Sequence, residues 1–165
     1  MTERIDWNSV VPIVHDIAIK AHDLASDVIG DRRHHISYCA IFCQDDGQYD
    51  DYVAAVAAAG TLANETATGP VYVTPGIETP AGTLRVVKVR KPDPTRPELG
   101  DADFAVDDYA AFKATFETTG QLSLIERPHF EMLELTVPGA PVRAYFSHPP
   151  VEKHPGIREV FDETA

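Results

Sequence analysis

Apolar side chains follow two different spacings in the first part of the chain. Between residues 6 and 29 they recur every three or four positions, which predicts an amphipathic helical region of one helix or two. Pro12 fits a first helical turn, and Gly30 fits a helix end. From residue 33 to residue 43 (RHHISYCAIFC) apolar and polar positions alternate, which predicts a β-strand.

The predicted strand 33–43 has two chemically different faces. The positions on one face are apolar or aromatic: Ile36, Tyr38, Ala40 and Phe42. Those on the other face are small or polar: His35, Ser37 and Cys39. We expect the first face to be buried in a core and the second to point toward whatever lies opposite. Residues 101–106 carry a fainter copy, in which Asp103 takes the place of His35.

The same order of elements is predicted on both sides of a proline-rich segment, residues 92–100. Each half reads as a strand, a short helix and three more strands, which predicts a tandem βαβββ arrangement. Asp-Asp-Tyr begins both helices and Gly-x-Leu follows both. We therefore predict one domain, 1–165, with five parts: a helical region 6–30, modules 33–91 and 101–148, a linker 92–100 and a C-terminal tail 149–165.

Composition narrows the classes of partner. A net charge of −12 argues against nucleic acid and acidic membranes, and it also suits a salt-adapted host. No apolar run reaches the roughly 18–20 residues of a membrane span, and the charged start predicts no signal peptide. Cys39 and Cys43, about 13 Å apart on a strand, are too distant for a disulfide, so we expect reduced thiols in a cytoplasmic protein, either a monomer or a homodimer.

Several short motifs, together with the tandem pattern, resemble one known superfamily. The motifs are His35-Ile36-Ser37, Gly60-x-Leu62, Gly69-Pro70-Val71-Tyr72-Val73 and Tyr145-Phe146-Ser147-His148-Pro149-Pro150. With the N-terminal helical extension and the proline-rich linker, they resemble the YecM-like branch of the vicinal oxygen chelate (glyoxalase/bleomycin-resistance/dioxygenase) superfamily. The resemblance implies an α+β fold in which a curved mixed sheet forms a half-barrel cleft.

The resemblance also implies a divalent metal on the floor of the cleft. Carried over by position, the ligands are His35, Asp103 in place of a second histidine, and Glu131 or Glu134. These two glutamates lie on opposite faces of one strand, so only one can face the cleft, and Glu131 is preferred. Such ligands suit Zn, Fe, Mn or Ni, and no organic cofactor is indicated. Ser37 and Arg90 are the candidate catalytic residues beside the metal.

Three functions stay open at this point. The first is a metal-dependent isomerase, lyase or dioxygenase acting on a small oxygen-rich substrate. The second is a metal-free small-molecule binder, because the last strand of the first half has no acid and offers Lys88 and Arg90 as an anion anchor. The third is a structural module whose cleft is filled by its own side chains. The chain has no Ser-His-Asp set, phosphate loop, CxxC pair or dinucleotide fingerprint.

Overall fold

A computed structural model describes residues 5–30 and 33–165. Residues 1–4, on which the signal-peptide expectation mainly rests, lie outside the described residues. The helices are α1 (Trp7–Ile29), α2 (Asp46–Ala59), α3 (Tyr109–Phe116) and α4 (Ile157–Glu163). The strands are β1 (His34–Phe42), β2 (Thr61–Thr66), β3 (Gly69–Thr79), β4 (Gly82–Arg90), β5 (Gly100–Val106), β6 (Ser123–Glu126), β7 (Glu131–Leu135) and β8 (Val142–His148).

Within the described residues the strands form one open mixed sheet in the order β2-β3-β4-β1-β5-β8-β7-β6. The two central strands, β1 and β5, are antiparallel, whereas β1 is parallel to β4 and β5 is parallel to β8. The outer strands on each side pair antiparallel. The predicted α+β class with a curved mixed sheet is confirmed.

The N-terminal region is a single helix that covers one face of the sheet. Asp6 caps α1, because its carboxylate accepts a hydrogen bond from the Ser9 N–H at 3.0 Å. This cap starts the helix at Trp7, so Pro12 lies inside the helix and not in its first turn as predicted. A buried stripe packs α1 against β1, β5 and β8: Val10, Val14, Ile17, Ala18, Ala21, Ala25 and Ile29. No helix in residues 5–30 or 33–165 is long and apolar enough to cross a membrane.

The larger core lies between the sheet and helices α1, α2 and α3. Its aromatic centre joins Phe104 on β5 to Phe146 on β8, with ring centroids 5.9 Å apart, and Phe146 to Phe112 on α3 at 4.8 Å. The opposite face of the sheet carries a smaller apolar cluster, formed by Val71, Val86, Val151 and Ile157. The sheet therefore has one closed face and one partly open face.

The C-terminal segment folds back over the open face. It forms a short 3₁₀ turn, Val151–Lys153, and then α4, which packs on β2 and β3. The guanidinium of Arg85 lies 4.3 Å from the ring centre of Phe161 and donates to the Thr164 hydroxyl at 2.8 Å. The predicted C-terminal tail, 149–165, thus contains a helix that was not predicted, because α4 has only seven residues with little pattern of their own and is stabilised by these tertiary contacts.

A register shift in β1 reverses the faces that its alternation predicts. The shift lies between Ile36 and Tyr38, where β1 pairs with β5. Ile36 before the shift and Cys39 after it are both in the helix-side core, whereas Tyr38 lies on the open face. The predicted placement of Tyr38 in the core and Cys39 opposite is therefore wrong, because one extra residue in a strand changes the face of every residue after it.

Candidate active-site cleft

The open face of the sheet contains a cleft with a volume of about 390 Å³. Strands β4, β1, β5 and β8 form its floor. One wall comes from β2 and the turn that follows it, and the other comes from β6 and β7 with the connection between them. The C-terminal segment closes part of the opening through Val151, His154 and Ile157. The cleft is thus the concave site that this sheet leaves available to a small molecule.

Strand register aligns charged side chains across the floor. Lys88 is paired with Ala40, Ala40 with Asp101, and Asp101 with Arg143. Because neighbouring strands lie about 4.8 Å apart, Lys88 and Asp101 have Cα atoms roughly 10 Å apart on the same face. The small side chain of Ala40 stands between them. A base on β4 and an acid on β5 thus share one face of the sheet, with one alanine between them.

Asp103 is buried and held firmly in place. One carboxylate oxygen accepts the Ser147 N–H at 2.9 Å, and the other accepts the Ser147 hydroxyl. The Ser37 hydroxyl donates to the Asp103 main-chain carbonyl at 3.2 Å. Burial raises the pKa of Asp103 to about 7, while the two hydrogen bonds from Ser147 act in the opposite direction.

Asp101 lies two residues earlier on the same face of β5 and has less support. It is 7% exposed, and its Oδ1 atom has no hydrogen-bond partner among the described residues. Burial, followed by the negative charge of Asp103, raises the pKa of Asp101 to about 7. Arg96, Lys88 and Arg90 lower it in part. Asp101 is therefore the less constrained of the two carboxylates.

Three basic side chains line the side of the cleft next to Asp101. Lys88 donates to the Thr68 hydroxyl at 2.6 Å, and burial lowers the pKa of Lys88 to about 8, helped by the charge of Arg90. Arg90 contacts Asp93 at 3.5 Å, but its buried Nε has no hydrogen-bond partner among the described residues. Arg96, from the connection between β4 and β5, lies 3.5 Å from the Tyr145 hydroxyl. We call Lys88, Arg90 and Arg96 the basic cluster.

The far side of the cleft carries both polar and apolar side chains. The Tyr145 hydroxyl donates to Glu134 at 2.7 Å, and burial raises the pKa of Tyr145 to about 12. His154 stacks on Phe130 with ring centroids 4.3 Å apart, and its Nε2 donates to the Pro149 carbonyl at 2.8 Å. Ile125 and Met132 add apolar surface to this wall, and Arg127, which donates to the Glu126 carbonyl at 3.2 Å, adds a charged group. Val151 and Ile157 line the cleft from the C-terminal segment, where they pack with Val71 and Val86. We call Ile125, Phe130, Met132, Val151 and Ile157 the apolar wall.

The structure does not bring the predicted metal ligands together. Asp103 lies in the cleft, but His35 is exposed at the start of β1 and lines a different pocket, against Gly82. Gly82 has a φ of 107°, and a β-carbon there would meet the His35 ring. Glu131 binds the Tyr109 hydroxyl and the Lys113 ammonium, both at 2.9 Å, next to α3.

The preference for Glu131 over Glu134 is thus the wrong way round. In the register of β7 with β8, Glu131 pairs with His148 and Glu134 with Tyr145, so Glu134 is the one that faces the cleft. The candidate catalytic residues also separate. Arg90 lines the cleft, whereas the Ser37 hydroxyl donates a hydrogen bond to the main chain of β5.

The residues of the cleft do not fit the metal that the resemblance implies. The described residues contain no group of three or more His, Cys, Asp or Glu side chains arranged to hold a metal ion. The basic cluster stands beside the two aspartates, and guanidinium and ammonium groups repel a divalent cation. His35, Asp103 and Glu131 therefore do not form the metal site that the resemblance implies.

Several residues of the cleft were not identified from the sequence. Asp101 carried a usable signal, because it is two positions from Asp103 and shares its strand face. Tyr145 and Ser147 share a face of β8 in the same way. Arg96 could not be identified from the sequence, since it lies in a proline-rich connection without periodicity.

Comparisons with known proteins bear on the fold alone. No protein-family model and no curated protein matches the chain. One solved structure, described as "Structural Genomics, Protein EC4020", is similar over 99% of this chain and 99% of its own, with 15% sequence identity and a TM-score of 0.61. The similarity over both full lengths supports one continuous fold from the N-terminal helix to the C-terminal segment.

Proposed function

We propose that the cleft binds a small anionic organic molecule, with the basic cluster as the anchor of its negative group. We further propose that the chain is a YecM-like member of the vicinal oxygen chelate superfamily, built from βαβββ modules at 33–91 and 101–148. The order of its strands, with β1 and β5 at the centre of the sheet, supports that assignment. The free buried thiols of Cys39 and Cys43 fit the expected cytoplasmic location.

The observation that carries the proposal is a pair of unpartnered polar atoms, one from a basic and one from an acidic side chain, in one cleft. Arg90 Nε and Asp101 Oδ1 are both buried, and neither has a hydrogen-bond partner among the described residues. A buried polar atom without a partner destabilises a folded protein by about 1–3 kcal/mol. A ligand with both an acceptor and a donor would satisfy both atoms.

The basic cluster explains why the bound group is negative. Arg90 and Arg96 each place a guanidinium carbon 5.7 Å from the ring centre of Phe42, which aligns the two side chains. Guanidinium groups bind carboxylates and phosphates through paired N–H donors, and Lys88 adds a point charge. The arrangement thus suits a carboxylate or phosphate group entering from the opening of the cleft.

The metal-dependent enzyme is the second candidate. Asp101 and Asp103 favour it, because two carboxylates on one floor supply oxygen ligands. The basic cluster beside them disfavours it. The two candidates make opposite predictions for Arg90, which strengthens anion binding in the first and weakens cation binding in the second.

A ligand screen by thermal shift, with matched variants and metal analysis, tests the proposal. Carboxylates and phosphate esters are expected to raise the Tm of the wild type, and R90Q is expected to reduce the affinity about tenfold or more. R158Q is the control, because it removes the same charge from an exposed site on α4. Equal binding by R90Q and the wild type, or no binding by any anion, would overturn the proposal.

Metal content of the same preparations decides the second candidate. About one equivalent of a transition metal in the wild type, lost in D103N and kept in H35A, would support the metal-dependent enzyme. H35A is the control because His35 lies outside the cleft. Anion binding that persists after chelation would instead support the metal-free site.

A further inference from the structure

We infer that the ligand of the cleft is a zwitterion of the apolar α-amino acid class, whose ammonium group is bound by Asp101. The inference rests on the proposed function, because it assigns the carboxylate of the same ligand to the basic cluster. It adds a second recognition element, Asp101, and a third, the apolar wall.

Asp101 has more hydrogen-bond acceptor capacity left for a ligand than Asp103 has. Both oxygens of Asp103 accept hydrogen bonds from Ser147, so this carboxylate already has donors. Asp101 is buried and has an oxygen without a partner among the described residues. The two oxygens of a carboxylate are equivalent and accept several hydrogen bonds, so Asp101 has acceptor capacity left for a ligand.

The group that Asp101 binds is expected to carry a positive charge. Asp101 and Asp103 are neighbours on one face of β5, and two adjacent carboxylates repel each other when both are ionised. A hydroxyl group would supply a donor but no charge. A primary ammonium supplies three donors and a positive charge, so it satisfies Asp101 and offsets the repulsion.

Asp101 and the basic cluster lie close together in the cleft. Lys88 and Asp101 lie in one register line with only Ala40 between them. Arg96, Lys88 and Arg90 are all near enough to Asp101 for their charges to influence its ionisation. In an α-amino acid the ammonium and the carboxylate are attached to one carbon. That separation suits a cation and an anion binding site that are immediate neighbours.

The apolar wall supplies the site for the rest of the molecule. It faces the charged floor from β6, β7 and the C-terminal segment, with Met132 and Phe130 among its members. A cavity of about 390 Å³ is at the small end of the range for ligand sites, roughly 300–1,000 Å³. A branched aliphatic or aromatic side chain would remain in contact with this wall while the charged end lies on the floor.

Calorimetric titration with four matched compounds tests the inference on the wild type. Leucine has both charged groups, 4-methylpentanoate lacks the amine, 2-hydroxy-4-methylpentanoate replaces it with a hydroxyl, and 3-methylbutylamine lacks the carboxylate. Leucine is expected to bind about tenfold or more tightly than either acid, because a buried bond to a charged partner is stronger than a neutral one. The amine alone is expected to bind far more weakly than leucine.

Variants separate the roles of the two groups. D101N is expected to bind leucine and 4-methylpentanoate within about threefold of each other, whereas R90Q is expected to weaken both. Retained binding of 4-methylpentanoate by D101N also shows that the variant is folded. If leucine binds the wild type no more tightly than 4-methylpentanoate, the inference fails and the proposed function stands. If none of the carboxylates binds, and the wider anion screen is also negative, both fail.

Discussion

Replacing Asp101 with asparagine is expected to change the pH dependence of stability in a defined direction. The pKa of Asp101 is raised to about 7 in the folded protein, against about 3.9 in an unfolded chain. Between these values the folded state holds a proton that the unfolded state has lost. The free energy of unfolding therefore falls as the pH rises through this window, and the loss is complete above about pH 7.

The size of the effect follows from that pKa difference. A pKa difference of about 3, at 1.36 kcal/mol per pKa unit, lowers the free energy of unfolding by about 4 kcal/mol at alkaline pH. Below about pH 4 it has no effect on that free energy. D101N lacks this titration but leaves a buried amide with incomplete hydrogen bonding, which costs about 1–3 kcal/mol at every pH. D101N is therefore expected to be more stable than the wild type at pH 8 and equally or less stable at pH 4.5.

Urea denaturation followed by circular dichroism measures the prediction. Unfolding free energies of both proteins are compared from pH 4.5 to pH 8.5, and their difference is plotted against pH. Subtraction removes the titration of the carboxylates that the two proteins share. D23N is the control, because Asp23 is exposed on α1, outside the cleft, and its loss changes the net charge equally. A D101N difference that stays constant across this range would refute the reasoning.

Two further predictions test the core and the thiols. F104A is expected to lower the free energy of unfolding by about 3–5 kcal/mol, because Phe104 is fully buried against Phe146, and a loss below 1 kcal/mol in urea titration would contradict the packing described. Cys39 and Cys43 are both buried, and burial raises the pKa of both thiols, that of Cys43 to about 12. A disulfide reagent is therefore expected to label them slowly in the native protein and rapidly in urea. Rapid native labelling would show that one of them is accessible.

Local patterns were sufficient to predict the class of fold and most of its elements. The three- and four-residue spacing in 6–29 predicts α1, because a helix brings such positions to one face whatever it packs on. Alternation and turn residues likewise predict most of the eight strands. The class and the open mixed sheet are confirmed, whereas the tandem modules and the superfamily stay predictions.

The faces of the strands and the membership of the cleft depended on tertiary structure. The register shift between Ile36 and Tyr38 places Tyr38 in the cleft and Cys39 in the core, and no local pattern in β1 marks it. The pairing of β7 with β8 likewise turns Glu134, and not Glu131, toward the cleft.

Local sequence patterns identify the residues that can form helices and strands, and they also identify Asp103, Lys88 and Arg90 of the cleft. That Asp101 and Arg96 join these residues, and that His35 does not, depends on how the strands pair and pack. The two kinds of information differ in the distance along the chain over which they act. Periodicity within an element follows from its own backbone geometry, whereas a cleft is formed by side chains from strands far apart in the chain, and its membership is set by register, bulges and burial.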